Sequence, residues 1–166
     1  MDFNIRTAMV DDAEAINRIG NWYIENSAVN FDTEKWSLAQ RIEWVRTFNL
    51  PDSPYNLLVG QDSGGIIGFA CNTRFKPKGA YNTSTETTVY IAYDIKSVGR
   101  GGKLYSALMD LIAEQDIHRA YGFITLPNQA SIDLHQRLGF RLVGKFDEVG
   151  RKFGKYHSIA LYQKKF

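Results

Sequence analysis

The chain has 166 residues, of which 44% are hydrophobic and 23% charged, so it is long and apolar enough to fold as a single domain spanning residues 1–166. Its formal net charge of +2 argues against the strongly basic surface of a nucleic-acid-binding protein. Because Cys71 is the only cysteine, no internal disulfide framework is possible, and we expect a reducing, cytoplasmic environment.

The N-terminal part of the chain predicts one strand followed by two helices. Residues 3–8 favour a strand, and the Asp-Asp pair at 11–12 supplies the N-cap of a helix whose apolar residues recur at helical spacing as far as residue 23. A second amphipathic pattern predicts a helix over residues 36–48.

The middle of the chain predicts a hairpin and then a longer strand. Strands are predicted over residues 55–59 and 66–71, and the Asp-Ser-Gly-Gly sequence at 62–65 is typical of the turn between them. Residues 85–94 contain many β-branched and aromatic side chains, which favour a long strand.

The C-terminal part predicts two helices and three strands. An amphipathic pattern over residues 104–114 predicts a helix, residues 121–126 a strand, and a short helix follows around Ser131. Residues 140–149 and 156–162 predict the last two strands. Strands and helices therefore alternate around one mixed sheet, which indicates the α+β class.

Three glycines, Gly99, Gly101 and Gly102, lie between the long predicted strand and the next helix. Glycine lets the backbone turn tightly and approach a ligand without obstruction by a Cβ atom. The following helix directs unpaired N–H groups and the positive end of its dipole at the turn, which favours a phosphate or a diphosphate. An ordinary glycine-rich turn at a helix entry is the alternative interpretation.

Two familiar phosphate-binding motifs do not fit this glycine segment. The nucleoside-triphosphate loop requires Ser or Thr after its Gly-Lys pair, whereas Leu104 follows Lys103 here. The dinucleotide fingerprint requires glycine where Leu104 stands. Both counts disfavour a small nucleotide-binding module.

Two segments of the chain resemble motifs of the GNAT N-acetyltransferase superfamily and occur in the expected order. Residues 96–101, Lys-Ser-Val-Gly-Arg-Gly, resemble the family's [QR]-x-x-G-x-[GA] segment, with lysine in place of the usual Gln or Arg. Residues 128–140 resemble the segment in which an Asn opens a short helix that ends in a Leu-Gly-Phe step into a strand. The resemblance implies the GNAT fold, a single mixed, mostly antiparallel β-sheet of about six to seven strands flanked by about four helices.

Further segments narrow the resemblance to the phosphinothricin and methionine sulfone N-acetyltransferase branch, and this similarity covers nearly the whole chain. These segments lie at residues 5–8, 11–16, 21–24, 30–33, 68–70, 80–81, 86–90 and 134–135. The resemblance implies an acetyl-CoA-dependent enzyme that acetylates the primary amine of a small amino acid or analogue, such as phosphinothricin or methionine sulfone or sulfoximine. Transfer would be direct, within a ternary complex.

The resemblance also assigns two residues a role in the acetyl-transfer reaction. Glu86 stands at the family's catalytic glutamate and is the candidate base, because the amine must be neutral when it attacks. A surface glutamate near a strand end is the alternative, whereas burial against Tyr81 or Tyr90 would raise the pKa of Glu86 toward neutrality. His135 is the candidate proton donor to the leaving thiolate, since imidazole exchanges protons near neutral pH, and a histidine that only packs within its helix is the alternative.

The residues that bind the two substrates follow from the same resemblance. For acetyl-CoA they are Val89, Tyr90, Ile91, Ser97, Val98, Gly99, Arg100, Gly101, Gly102, Asn128 and Ser131. For the acceptor they are Phe31, Lys76, Lys78, Tyr81, Glu86, Thr87 and Thr88. Lysines at 76 and 78, where relatives carry arginine, keep the positive charge but lack the two-pronged grip on a carboxylate, and a solvated loop is the alternative there.

The sequence also leaves alternative functions open and predicts which partners the protein has. The same chemistry on a polyamine, an antibiotic amine or a protein α-amine is one alternative, and a non-catalytic acyl-CoA-binding sensor is another. We expect no metal, because His118, His135 and His157 lie far apart without partners at metal-ligand spacing. We also expect no nucleic-acid partner, no membrane segment and no signal peptide. A homodimer, common in the family, is expected.

Overall fold

The computed structural model describes residues 3–95 and 99–166, so the predicted diphosphate contacts at Ser97 and Val98 lie outside the described residues. Seven strands are defined in the described part: β1 Asn4–Thr7, β2 Leu57–Asp62, β3 Gly65–Arg74, β4 Ser84–Ile91, β5 Arg119–Thr125, β6 Arg141–Lys152 and β7 Lys155–Lys165. Four α-helices are defined there: α1 Ala13–Asn26, α2 Leu38–Phe48, α3 Arg100–Ala113 and α4 Gln129–Arg137.

The strands form one mixed sheet in the order β1-β2-β3-β4-β5-β7-β6. The β1–β2, β2–β3, β5–β7 and β6–β7 pairs are antiparallel, and β4 runs parallel to β5. This sheet with its helices confirms the predicted α+β class and the predicted numbers of strands and helices.

The main differences from the predicted elements concern where they begin and end. Helix α2 begins at Leu38 rather than at Trp36, because Ser37 forms a capping box with Gln40. The Ser37 hydroxyl accepts from the Gln40 backbone N–H at 3.2 Å, and the Gln40 side chain accepts from the Ser37 N–H at 2.8 Å. The long predicted strand ends at Ile91 instead of Asp94.

The chain divides into two compact units, each built from three segments, and the single-domain expectation stays a prediction. The first unit contains Met1–Trp22, Trp36–Thr73 and Thr87–Asp116. Its fully buried side chains include Ile16, Val45, Leu57, Val59, Leu104, Tyr105, Leu108 and Ile112. Helix α3 supplies Leu104, Leu108 and Ile112 at helical spacing, so one amphipathic face enters this core. Gly68 in β3 allows close approach to β4, because a Cβ there would lie 2.6 Å from the carbonyl oxygen of Tyr90.

The second unit contains Tyr23–Lys35, Arg74–Glu86 and Ile117–Phe166. Strand β5 lies at its centre, pairing in parallel with the first residues of β4, from Ser84–Arg119 to Glu86–Tyr121. On its other side β5 pairs with β7 over residues 119–125. Strand β7 in turn pairs with β6, whose side chains are mostly exposed.

In the first unit, Asp12 joins the end of β1 to the start of α1. Its carboxylate accepts two hydrogen bonds from the Arg6 guanidinium, at 2.7 and 2.8 Å, and one from the Met9 backbone N–H at 2.7 Å. The hydrogen bond from Arg6 is the main reason that the pKa of Asp12 lies below its ordinary value. Asp12 thus acts as the third residue of the short 3-10 turn Val10–Asp12, whose N-cap is Met9 rather than the predicted Asp pair, and Asp11 is exposed.

We expect Asp12→Asn to lower the free energy of unfolding by about 2 kcal/mol at pH 7, because the charge-assisted bonds from Arg6 are lost. A carboxylate whose pKa is lowered by folding stabilises the fold above its unfolded pKa, and this contribution is lost as the pH falls through the folded pKa. The difference between the variant and the wild type should therefore shrink from pH 7 to pH 3 in urea unfolding. Asp11→Asn is the matched control, and an equal loss in both variants would contradict the assignment.

Candidate functional site

Glu86 lies in β4 at the point where this strand pairs with Tyr121 of β5. Its neighbours Thr85 and Thr87 are buried, whereas Glu86 and Thr88 are partly exposed, as the alternation of a strand requires. Burial raises the pKa of the Glu86 carboxyl above its ordinary value, and the positive charge of Lys76 partly offsets this rise. The carboxylate is therefore poised to accept a proton closer to neutral pH than an exposed glutamate would.

An aromatic group accompanies Glu86 in the second unit, and the sequence predicted its member Tyr81 but not Phe75 or Tyr121. The rings of Phe75 and Tyr121 stack with centroids 4.4 Å apart, and Phe75 meets Tyr81 edge-on at 5.8 Å. The Lys76 ammonium lies 5.5 Å from the centroid of the Phe75 ring. Because Tyr121 is the direct partner of Glu86, this group contributes apolar surface beside the carboxylate. No local sequence pattern reveals this group, because the register of the parallel β4–β5 pair is what places residue 121 next to Glu86.

His135 is in the interior of the second unit and is 5% exposed. Its Nδ1 lies 2.8 Å from the carbonyl oxygen of Ser131, so the ring donates there and carries its proton on Nδ1. The other ring nitrogen faces Gly122 of β5, where a Cβ would lie 2.4 Å from Nε2, and the ring meets Phe140 edge-on at 5.0 Å. Burial is the main cause that lowers the pKa of His135, and the bond to Ser131 works against it.

The two other residues predicted near this helix act in its first turn. Asn128 is the N-cap of α4, and its side-chain oxygen accepts from the Ser131 backbone N–H at 3.2 Å. The backbone of Ser131 then supplies the carbonyl that His135 uses. Both residues thus organise the start of α4, and their contact with acetyl-CoA stays a prediction.

The glycine segment opens α3 in the first unit. Gly99 is the N-cap, with φ +82° in the left-handed region that favours glycine, and the first helical hydrogen bond runs from Lys103 N–H to the Gly99 carbonyl at 3.0 Å. Gly101 faces Ile91, because a Cβ at Gly101 would lie 3.3 Å from Ile91 Cγ1. Gly102 is the next residue of α3 and is partly exposed.

Arg100 is engaged within the first unit. Its guanidinium donates to the Asp62 carboxylate at 2.6 Å, in the turn of the β2–β3 hairpin. The pKa of Asp62 is held below its ordinary value, first by the hydrogen bond from Gly64 N–H and then by Arg100. The hairpin turn thus fixes a positive side chain at the start of α3.

The predicted pantetheine contacts Val89, Tyr90 and Ile91 are partly exposed in β4.

The remaining predicted acceptor contacts are distributed over both units. In the second unit, Phe31 packs on Gly150 and lies 6.3 Å from His157 between ring centroids, and Lys78 is exposed just before a short 3-10 turn at residues 79–81. In the first unit, Thr88 is partly exposed, whereas Thr87 is 4% exposed and shares a 2.7 Å hydrogen bond with the Tyr105 hydroxyl. The Thr87 side chain is therefore placed in the core, and its contact with the acceptor stays a prediction.

The part of the chain that the structure describes shows neither a metal-binding cluster nor a membrane-spanning helix. Over residues 3–95 and 99–166, no group of three or more His, Cys, Asp or Glu side chains could hold a metal ion. None of the helices described for those ranges is long and apolar enough to cross a membrane.

Comparisons with known proteins agree with this geometry. The profile of the family described as an acetyltransferase (GNAT) domain matches residues 5–159. The chain is 40% identical to a phosphinothricin N-acetyltransferase of Streptomyces coelicolor, over 98% of this chain and 96% of that protein. It is 32% identical to an L-methionine sulfoximine/L-methionine sulfone acetyltransferase of Pseudomonas aeruginosa, over 98% and 94%.

Among solved structures, the fold matches a phosphinothricin acetyltransferase of the GNAT superfamily from Sinorhizobium meliloti in complex with acetyl-CoA. The TM-score is 0.93 at 25% identity, and the match covers 100% of this chain and 89% of that chain.

We expect the wild type to lose stability as the pH falls below about 6.5, because the unfolded chain protonates His135 before the folded chain does. A histidine whose pKa is lowered by folding stabilises the fold above its unfolded pKa, and this contribution is lost as the pH falls toward the folded pKa. Urea unfolding at pH 7.5 and 5.5 should show a smaller pH dependence in His135→Leu than in the wild type. His118→Gln, at an exposed histidine, is the control, and an unchanged pH dependence in His135→Leu would contradict the buried neutral imidazole.

Proposed function

The chain belongs to the GNAT acetyltransferase family, and from this premise we propose that it transfers the acetyl group of acetyl-CoA to the primary amine of a small amino acid or amino-acid analogue. The observation that carries the proposal is the carboxylate of Glu86, partly buried with a raised pKa beside an aromatic group. The names of the relatives, which acetylate phosphinothricin or methionine sulfoximine and sulfone, support this class of acceptor.

Glu86 acts as the base in the proposed reaction. An amino acid carries an ammonium group at neutral pH, and Glu86 removes one proton so that the nitrogen lone pair can attack the carbonyl carbon of the thioester. A C–N bond forms, and the carbonyl electrons move to oxygen and return as the C–S bond breaks. The thiolate of coenzyme A leaves with the electron pair of that bond, the attached nitrogen gives up its second proton to become the amide, and the thiolate takes up one proton in exchange. A carboxylate with a raised pKa is the stronger base for the first step.

The donor is held by the turn that opens α3. Gly99, Gly101 and Gly102, together with Ser97 and Val98, would bind the diphosphate through main-chain N–H groups, and Arg100 would add a positive charge. The left-handed Gly99 N-cap of a 14-residue helix supports this assignment. Val89 to Ile91 would pair with the amides of the pantetheine arm, while Asn128 and Ser131 would contact the pantetheine or the adenosine portion of the donor.

Two roles are proposed for His135, and the contacts of its ring favour one of them. As a proton donor to the thiolate it would have to give up the Nδ1 proton that now binds the Ser131 carbonyl. As a positioning residue it would hold α4 against β5 through Gly122, with its lone pair on Nε2. The buried neutral ring supports the positioning role.

The acceptor would be recognised by Phe31, Tyr81, Thr88, Lys76 and Lys78. Aromatic rings provide surface for the apolar part of the acceptor, and the two lysines provide positive charge for a carboxylate or phosphinate. Lysine binds as a point charge, so we expect selectivity among acidic acceptors to be broader than an arginine pair would give.

Replacing the base tests the proposal directly. We expect Glu86→Gln to lower kcat by about 100-fold or more, because glutamine cannot accept the proton, while the KM for acetyl-CoA changes little. Release of free coenzyme A thiol is measured with methionine sulfone, phosphinothricin, aromatic amino acids and polyamines as acceptors. Glu114→Gln, at an exposed glutamate just after α3, is the matched control and should retain wild-type rates.

The pH profile separates a base from a structural carboxylate. In the wild type, kcat should rise with pH through the raised pKa of Glu86, and Lys76→Met should move this rise to higher pH because the positive charge that lowers the pKa is removed. Wild-type turnover by Glu86→Gln would eliminate Glu86 as the base. Binding of acetyl-CoA without thiol release on any amine would favour the non-catalytic sensor.

We also propose a cytoplasmic homodimer. Cys71 is the single cysteine of the sequence and is buried, which is consistent with a reducing compartment. The β6–β7 hairpin exposes a group of large apolar side chains, which is typical of an interaction surface. They are Leu142, Val143, Phe146, Val149, Phe153 and Tyr156.

If this apolar face joins two copies, the wild type should have twice the chain mass of 18.9 kDa by light scattering after size exclusion. Phe146→Lys should shift the protein toward the monomer, because a charge would be placed in the interface. Leu50→Lys, at an apolar side chain that is exposed after α2, is the control and should remain dimeric. A monomeric wild type would contradict the homodimer.

A further inference from the structure

Lys152, at the end of β6, carries an ammonium group in the interior of the second unit. The residue is 6% exposed, and its Nζ donates to the carbonyl oxygens of Ser27 at 2.9 Å and Asn30 at 2.6 Å. Both acceptors belong to the loop that follows α1, more than 120 residues away along the chain. Burying a charge is costly unless it is hydrogen-bonded, so these two bonds fix the loop to the end of β6.

The surroundings of Lys152 compensate its charge further. The Asp32 carboxylate, in the same loop, attracts the ammonium electrostatically, and the Phe153 ring centroid lies 5.1 Å from Nζ. A buried cation that binds two main-chain carbonyls determines the path of the backbone between residues 27 and 30. Phe31 is the next residue along this path.

The Phe31 ring packs on the backbone of Gly150, which lies two residues before Lys152 in the sequence. A Cβ atom at Gly150 would lie 2.1 Å from Cε2 of Phe31 and within 2.8 Å of two other ring atoms, so the ring occupies the space that any side chain at 150 would fill. His157, the cross-strand partner of Gly150, lies beside the Phe31 ring, and its Nε2 is 3.1 Å from the Lys152 carbonyl oxygen. Gly150 and His157 thus lie beside the Phe31 ring, while the Lys152 ammonium holds the loop segment that precedes it.

We propose that Lys152 is a positioning residue for acceptor recognition, which holds the loop so that Phe31 sits on Gly150. Gly150 contributes to the same positioning, because its lack of a side chain provides the space for the Phe31 ring. The inference rests on the proposed function insofar as Phe31 contacts the acceptor side chain. Lys152 touches neither substrate and acts through Phe31, so it should affect recognition of the amine and leave recognition of the thioester unchanged.

Lys152→Met tests this role because it keeps the length of the side chain and removes its three donors. We expect the KM for methionine sulfone to rise by about tenfold or more, as the loss of a charge-assisted hydrogen bond predicts, with the KM for acetyl-CoA unchanged. Lys152→Arg, which can still donate to both carbonyls, should recover most of the affinity for the acceptor. Lys155→Met is the matched control, since Lys155 is the exposed cross-strand partner of Lys152 and should leave both KM values unchanged.

Gly150→Ala probes the same ring from the other side and leaves the donors of Lys152 in place. It should raise the acceptor KM in the same way, and the double variant with Lys152→Met should be little worse than either single variant, because both act through Phe31. Equal increases in both KM values, or additive effects of the two changes, would overturn the proposal.

Hydrogen exchange of the amides at residues 27–32 provides a readout that does not require turnover. Exchange should become faster in Lys152→Met and remain at the wild-type rate in Lys155→Met. Unchanged exchange in Lys152→Met would overturn the positioning role even if the enzyme were active on none of the tested amines. Absence of turnover by the wild type, with faster loop exchange in the variant, would instead refute the proposed function and leave the structural role of Lys152 in place.

Discussion

The parallel pairing of β4 with β5 is the constraint on which the arrangement of the chain depends. Two parallel neighbours cannot be joined by a tight turn, so the chain after Ile91 must travel back before β5 can begin at Arg119. Helix α3 provides this return, and its entry therefore follows the carboxyl end of β4. The same pairing places Tyr121 beside Glu86. One topological requirement thus determines both where a glycine turn is needed and which ring flanks the carboxylate.

Burial disfavours the ionised form of both Asp12 and Glu86, and the partners of each carboxylate decide the net direction of its pKa shift. Asp12 is buried with the Arg6 guanidinium and stays ionised more readily than in water, whereas burial dominates at Glu86 and makes its charge harder to keep. His135 follows the same rule as Glu86, since burial again favours the uncharged form. Lys152 remains a donor to two carbonyls even though burial lowers its pKa. Asp12, whose charge is compensated by hydrogen bonds, thus stabilises the fold, whereas Glu86, whose pKa is raised by burial, is suited to proton transfer.

Local patterns predicted most of the fold, and long-range pairing explains most of what they missed. The positions of the strands and the hairpin turn at 62–65 depend on neighbouring residues, and the structure agrees with them. Helix α3 begins at Arg100 rather than at Leu104, so Gly99 is its N-cap and Gly101 and Gly102 lie within its first turn. Helix α2 starts later than its apolar pattern indicated because a cap at Ser37, rather than the first aromatic residue, sets its beginning. Glu86 was identified through a family motif. Its partner Tyr121 and the tie from Lys152 to residues 27 and 30 could not be predicted, since no local pattern encodes contacts between distant segments.

The contact between His135 and Gly122 has a consequence for how this chain can evolve. Nε2 occupies the space in which a methyl group at 122 would have to lie, so the two positions do not accept substitutions independently. A lineage that acquired alanine at 122 would be viable only after the residue at 135 had become smaller or had turned away. A tyrosine at 135, larger than the imidazole, would need still more space at that point. The order in which these substitutions can arise is therefore restricted by the space that the two positions share.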